Sequence, residues 1–257
     1  MMSISLVDAF LVIFIIMGGV VGFKNGAIKE GMNFVGIILV ALIAFVFKDK
    51  LMVVLYENLP FFDFFGLIKG ISAVNILFYQ LISFIIIFMA LYFALRVLIV
   101  ITGFIEWLLK LTIFLRIPSK ILGIVVGVLE FYVYSFIILY IINMPIFGLS
   151  LVADSKFGNG ILNNTPILSG LVDGTVKAYS DIWDIVENRD KKNTNTEINT
   201  LVLVSLLDNK LITIDSARKL VESNKIILTD NTILDNYQSD SNILNELKCS
   251  IIDECNN

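Results

Sequence analysis

The amino-acid sequence predicts an all-α fold: a four-helix integral membrane module with an interfacial helix, followed by a small helical C-terminal tail. Three observations carry this expectation. Hydrophobic residues make up 57 % of the 257 positions and charged residues only 16 %, whereas a soluble domain averages about 45–50 % and about 25 %. Mean hydropathy is +0.87, and the apolar residues gather in four long runs. Charge is divided as well: of 23 acids and 19 bases, seven and nine fall in residues 1–149, leaving an acid excess behind. A greasy, slightly basic front, 1–147, therefore precedes an acidic, mostly helical C-terminal region with polar linkers, 148–257.

Crossing the hydrocarbon of a bilayer takes about 20 mainly apolar residues. Ile4 to Phe23 meets this, interrupted by Ser5 and Asp8 near its start. It has no basic segment ahead of it and no small-x-small site at its end, so it is expected to be a retained anchor rather than a cleaved leader. Met32 to Phe47 is a short second run with Asn33 as its strongly polar side chain. Ala73 to Ile101 is broken by Asn75, Gln80 and Arg96, and Ile121 to Ile142 carries Glu130. Nothing in the chain is polar enough to cover four such helices in water.

Between the third and fourth runs, Gly103 to Arg116 places Glu106 and Lys110 four apart on one face, with Trp107 beside them. That pattern suits a helix lying in the headgroup layer, ended by Pro118 as the fourth run begins. The aromatic cluster Leu59 to Gly66 is expected at the opposite interface. Beyond Pro145, Gly, Asn, Ser and Pro mark residues 148–170 as turns, with Thr165-Pro166 starting a short helix. Leu171–Val186 has a 3.6-residue apolar period. A polar linker, Asn188 to Asn199, leads to amphipathic segments at Leu201–Leu207 and Ala217–Val221, the latter capped by Asp215, and to a last helix at Ile243–Ile252. The core of this region is expected to be thin for its length.

Lysine and arginine in short loops set orientation. Lys24, Lys29, Lys110, Arg116 and Lys120, with Arg96 close by, fall in loops one and three; Lys48, Lys50, Lys69 and the tail residue Lys156 fall on the other side. Six against four places both termini outside.

Several function classes drop out. The chain contains no histidine, so it lacks the commonest general base and metal ligand, and any Ser-His-Asp or Cys-His machinery. An intramembrane aspartyl hydrolase needs two aspartates where Asp8 alone is near. Cys249 and Cys255 are too few for a zinc site and are expected as free thiols, pairing only if the tail is extracytoplasmic. Neither half is basic enough for nucleic acid. The expectation is no catalytic residue, no metal and no cofactor, with the lipid bilayer as partner and a second copy or another membrane protein as a possible one.

Gly18, Gly22 and Gly26 are spaced by four, and Glu30 continues that face; Gly36 and Ala41 follow on the next helix, and Gly123 and Gly127 repeat the spacing in the fourth run. In lipid such strips let helices approach closely. Glu130 is nine residues into its run, about 14 Å at 1.5 Å per residue. A charge at that depth costs about 2.5–3.5 kcal/mol unless it is neutralised, paired or wetted. Three arrangements meet that cost: a clasp with Arg96, a proton- or solute-linked carboxylate, or a neutral acid bonded to Tyr132, Tyr134 or Ser135. Asp8 reads as a solvated helix-start residue, and an unpaired Arg96 would snorkel to the headgroups.

The succession Asp8, then Gly22-Phe-Lys-Asn-Gly26-Ala-Ile-Lys-Glu30, Gly36 and Ala41, then Lys120-Ile-Leu-Gly123-Ile-Val-Val-Gly127-Val-Leu-Glu130, resembles the colicin V production protein (CvpA) family over residues 4–143. Asp8, Gly22, Gly26, Glu30, Gly36, Lys120, Gly123 and Gly127 match its pattern. Glu130 and Phe131 stand where Arg-Gly is usual. The resemblance implies a small bacterial inner-membrane protein, non-enzymatic, linked to toxin (colicin V-type) production or export and to envelope and biofilm processes. Some relatives join the module to an extracytoplasmic serine protease, which a tail without histidine cannot be. The alternative is a small oligomeric transporter or channel subunit using Glu130 and Arg96.

Overall fold

The computed structural model describes residues 6–101, 116–144, 155–190, 192–237 and 243–252. Among them every regular element is helical: α1 (Leu6–Asn25), α2 (Ala27–Asn58), α3 (Asn75–Ile101), α4 (Arg116–Ile142), α5 (Lys156–Asn164), α6 (Leu168–Glu187), α7 (Asn195–Asp208), α8 (Ile214–Glu222), α9 (Thr232–Asn236) and α10 (Ile243–Ile252), with 3₁₀ turns at Gly66–Ile68 and Ser72–Val74. The expected interfacial helix lies outside the described residues apart from Arg116, which opens α4. Among the described residues, three stretches are long and apolar enough to cross a membrane: Leu6–Asn25, Ser72–Leu98 and Ser119–Ile142. The expected second span, Met32–Phe47, lies within α2 but is not among them.

The chain forms two compact units, Met1–Lys48 with Phe84–Ile142 and Ser150–Leu171, and Asp49–Ser83 with Asn143–Leu149 and Val172–Asn257. The first unit thus takes in residues beyond position 147. Its α1 packs along α4, with Gly18, Gly19 and Gly22 buried. The outward faces are as greasy as the inner ones: Phe10, Ile13, Met17 and Val20 on α1 and Ile121, Leu122 and Val125 on α4 are all exposed. In water that would be a continuous sticky surface; against lipid tails it is matched. On α2, Ile37, Ala41, Ala44 and Phe45 are buried while Val35, Leu39, Ile43 and Val46 are exposed. Phe45 stacks on Phe84 of α3 at 4.5 Å and meets Tyr140 of α4 edge-on at 5.1 Å.

Gly26 corrects one expectation. It adopts φ +82°, the left-handed region open to glycine, and separates α1 from α2. Glu30 therefore belongs to the first turn of α2 rather than continuing the glycine face of α1. A second correction concerns residues 148–170, which contain α5. Ser155 caps it, its Oγ accepting from the Gly158 N–H at 2.8 Å. Thr165 closes α5 instead of starting a helix, Ile167 turns at φ +68°, and α6 follows.

The second unit is built around α7, whose residues Ile198 to Leu207 are all buried. A helix buried on every side needs a covering layer, so this core is not thin. Its start is a capping box: Thr194 Oγ1 accepts from Glu197 N, and the Glu197 carboxylate accepts from Thr194 N at 2.7 Å. This pulls the helix start into the expected linker, to Asn195. Thr213, not Asp215, caps α8. The loop ahead of α3 belongs to the same unit: Ala73 N donates to Asn199 Oδ1 at 3.0 Å, and Lys225 Nζ donates to the carbonyls of Tyr56, Glu57 and Leu59 at 2.7, 2.7 and 3.1 Å. Phe62 and Phe64 of the aromatic cluster meet Phe78 edge-on at 5.2 and 5.5 Å. Cys249 is disulfide-bonded, against the expected free thiol.

Candidate functional site

The glycines of α1 and α4 form an antiparallel seam. A Cβ on Gly22 would overlap the Gly123 carbonyl oxygen, and one on Gly123 the Gly22 oxygen. Gly127 and Gly18 stand in the same reciprocal relation one turn along. Backbone meets backbone there because no side chain intervenes, the packing that association in lipid rewards. Gly26 lies over Ser119, whose Oγ a Cβ would approach to 3.1 Å and which accepts from Ala27 N at 3.2 Å. Gly36 makes room for Leu95 of α3, whose Cδ2 would lie 2.8 Å from a Cβ. Lys120 sits with its Nζ 5.4 Å from the Phe23 ring. Asp8 is more than a solvated helix start: it accepts from Ser155 Oγ at 2.5 Å and from Phe157 N at 3.2 Å, fastening α5 to the start of α1.

Inside this frame lies a polar strip. Glu30 of α2 and Glu130 of α4 are 1 % and 3 % exposed, and their carboxyl groups are close enough to interact directly. Asn25 Nδ2 donates to Glu30 Oε1 at 2.5 Å, and Tyr134 OH to Glu130 Oε1 at 3.1 Å. The second oxygen of each, Glu30 Oε2 and Glu130 Oε2, is buried without a hydrogen-bond donor. The strip extends both ways. Lys29 Nζ donates to Asn25 Oδ1 at 3.3 Å, and Tyr134 interacts with Tyr92 of α3.

The expected Glu130–Arg96 clasp is not formed. Arg96 donates instead to Asn33 Oδ1 at 3.2 Å and to Tyr92 OH at 2.5 Å, joining α3 to α2, and acts on Glu130 only through its charge. Of the three expected hydroxyl partners of Glu130, Tyr134 alone fills the role. Tyr132 OH accepts from Thr165, and Ser135 turns to the Phe131 carbonyl. The partnership of Glu30 with Glu130 was not read from the sequence, nor were the roles of Asn25 and Tyr92. Polar residues in greasy runs were the available signal, and their pairing across a hundred residues was not. An apolar cavity of about 270 Å³ lies nearby, lined by Phe34, Ile38, Leu42, Leu129, Val133 and Ile167 among others.

Apolar outward faces, a glycine seam in place of an aqueous core, and charges held inward define a multi-pass helical membrane protein. The model of the family described as "Colicin V production protein" matches residues 7–166, and the chain belongs to that family. The match continues past α4 through α5 to Pro166. The chain is also 28 % identical over 173 residues, 65 % of its own length and 95 % of the relative's, to an uncharacterized transmembrane protein of Bacillus subtilis, YshB. No solved structure matches it.

Proposed function

We propose that this protein is a non-enzymatic inner-membrane module acting in toxin export or envelope processes by binding a second membrane or envelope protein. The observation that carries this reading is the seam of Gly18, Gly22, Gly123 and Gly127. It welds α1 to α4 backbone to backbone, a construction suited to a rigid platform rather than an opening pathway. The helical second unit, built on the loop ahead of α3, is the part a partner would reach.

The topology we infer has four spans. The glycine pairs 22 with 123 and 18 with 127 make α1 antiparallel to α4. Two spans of opposite sense require an even number of crossings between them. With α3 as one crossing, α2 supplies the other, and its exposed Val35, Leu39, Ile43 and Val46 give it a lipid-facing stripe. Both termini then share one side. The six-to-four basic distribution puts that side outside the cytoplasm, and a disulfide at Cys249 fits an oxidising compartment.

Photo-crosslinkers in α8 and α10, in intact cells of a bacterium that makes the protein, test the reading. A discrete adduct with a membrane or envelope protein, lost together with the envelope or export phenotype in Gly22→Leu, is the expected result. A purified protein that turns over a substrate on its own would refute it. A second reading, a small oligomeric transporter or channel subunit, draws on the inward-facing Glu130.

A further inference from the structure

We propose that Glu30 and Glu130 form a binding site for one small positive charge, a proton or a sodium ion, held between their inner oxygens. The site needs neither the partner nor the cargo of the reading above. Two carboxyl groups from different helices interact directly with almost no exposure. Each already uses Oε1, for Asn25 and for Tyr134, while Glu30 Oε2 and Glu130 Oε2 have no donor. Unsatisfied carboxylate oxygens are costly where water is excluded, and like charges at such proximity disfavour joint ionisation. One proton shared by the pair, or one alkali ion taking its place, removes both penalties. The donor set is oxygen only, the preference of hard cations.

Polar groups from all four helices surround the pair. From α1 the facing polar group is Asn25, which carries no charge. From α2 it is Lys29, linked through Asn25. From α3 come Tyr92 and the positive charge of Arg96, and from α4 comes Tyr134. A pair bearing one proton has a charge of −1, beside the positive charges of Arg96 and, through Asn25, of Lys29. The Lys29–Asn25 link also leads from the end of α1 toward Glu30, a route for exchange.

Infrared difference spectroscopy on the full chain in nanodiscs, titrated through neutral pH in sodium or choline chloride, tests this. Wild type should show a protonated-carboxyl band at neutral pH that bleaches on raising pH. Glu30→Gln and Glu130→Gln should each remove it entirely, because the band belongs to the pair. Bleaching by sodium at constant pH would identify the ion as the second ligand, and its absence would leave the proton alone. An Asp208→Asn background removes the carboxyl that burial raises in the second unit. If the glutamine variants fail to fold, Glu130→Asp, one methylene short of its partner, should still shift the titration. A wild type with both groups ionised throughout, or a band only halved in each single variant, overturns the proposal.

Discussion

Single residues in this protein act through the space they leave as much as through what they touch. Gly22 and Gly31 lie nine positions apart and differ completely in this respect: a Cβ on Gly22 would collide with the Gly123 backbone, whereas nothing lies within 4 Å of one on Gly31. Gly22→Ala is expected to cost about 1–3 kcal/mol through overpacking, read as a lowered melting temperature in detergent. Gly31→Ala is expected to be neutral or to stabilise α2 by up to about 1 kcal/mol. Equal effects at the two sites would mean that the seam does not hold the helices together.

At the same scale, Asp208 in the second unit gives a pH signature. Burial pushes its carboxyl above the usual range; the Tyr237 hydroxyl, 2.6 Å away, pulls it back, and Asp181 pushes it up again. A group raised in the folded state contributes stability that is full below its unfolded pKa and is lost as pH rises through the folded value. Asp208→Asn, which can still accept from Tyr237, should therefore flatten the decline in melting temperature from acid to neutral pH. Asp208 is partly solvated, so the gain at neutral pH is small. A steeper decline in the variant would contradict the assignment.

Among the elements, α7 rests on its first turn. Thr194 and Glu197 satisfy each other's backbone N–H groups, and loss of such a cap costs about 1 kcal/mol. Because α7 is buried along Ile198 to Leu207, fraying at its start loosens the packing around it. Thr194→Ala should lower the melting temperature of the second unit, and Thr194→Ser should restore it. Elements with a strong local signal were legible in the sequence: α10 lies where its apolar period puts it, and α1, α3 and α4 overlap their expected runs. Those governed by short polar signals were not. Ser155 and Thr194 begin helices inside stretches dense in Asn, Gly and Thr, where composition points to turns and one side chain's bond to the backbone outweighs it.

For the whole molecule, the inferred antiparallel order fixes which residues share a side of the membrane. A cysteine placed by Lys120→Cys and another by Lys156→Cys, in a background lacking Cys249 and Cys255, should react with an impermeant thiol reagent from opposite sides in intact and inverted vesicles. Labelling of both from one side would mean that α4 does not cross the membrane and would break the four-span topology.

Sequence alone settled the solvent. Four apolar runs with little polar surface to cover them admit only a membrane protein, because burial of apolar area is set by composition and run length. The spacing of Gly18, Gly22, Gly123 and Gly127 also announced close helix contact, since small side chains four apart leave a groove whatever fills it. Tertiary structure decided which groove met which, that Gly26 ends α1 and hands Glu30 to α2, and that Glu130 turns to Glu30 while Arg96 turns to Asn33 and Tyr92. Those outcomes depend on the rotation and depth of each helix against its neighbours, and a helical period carries no memory of the face presented by a helix a hundred residues away.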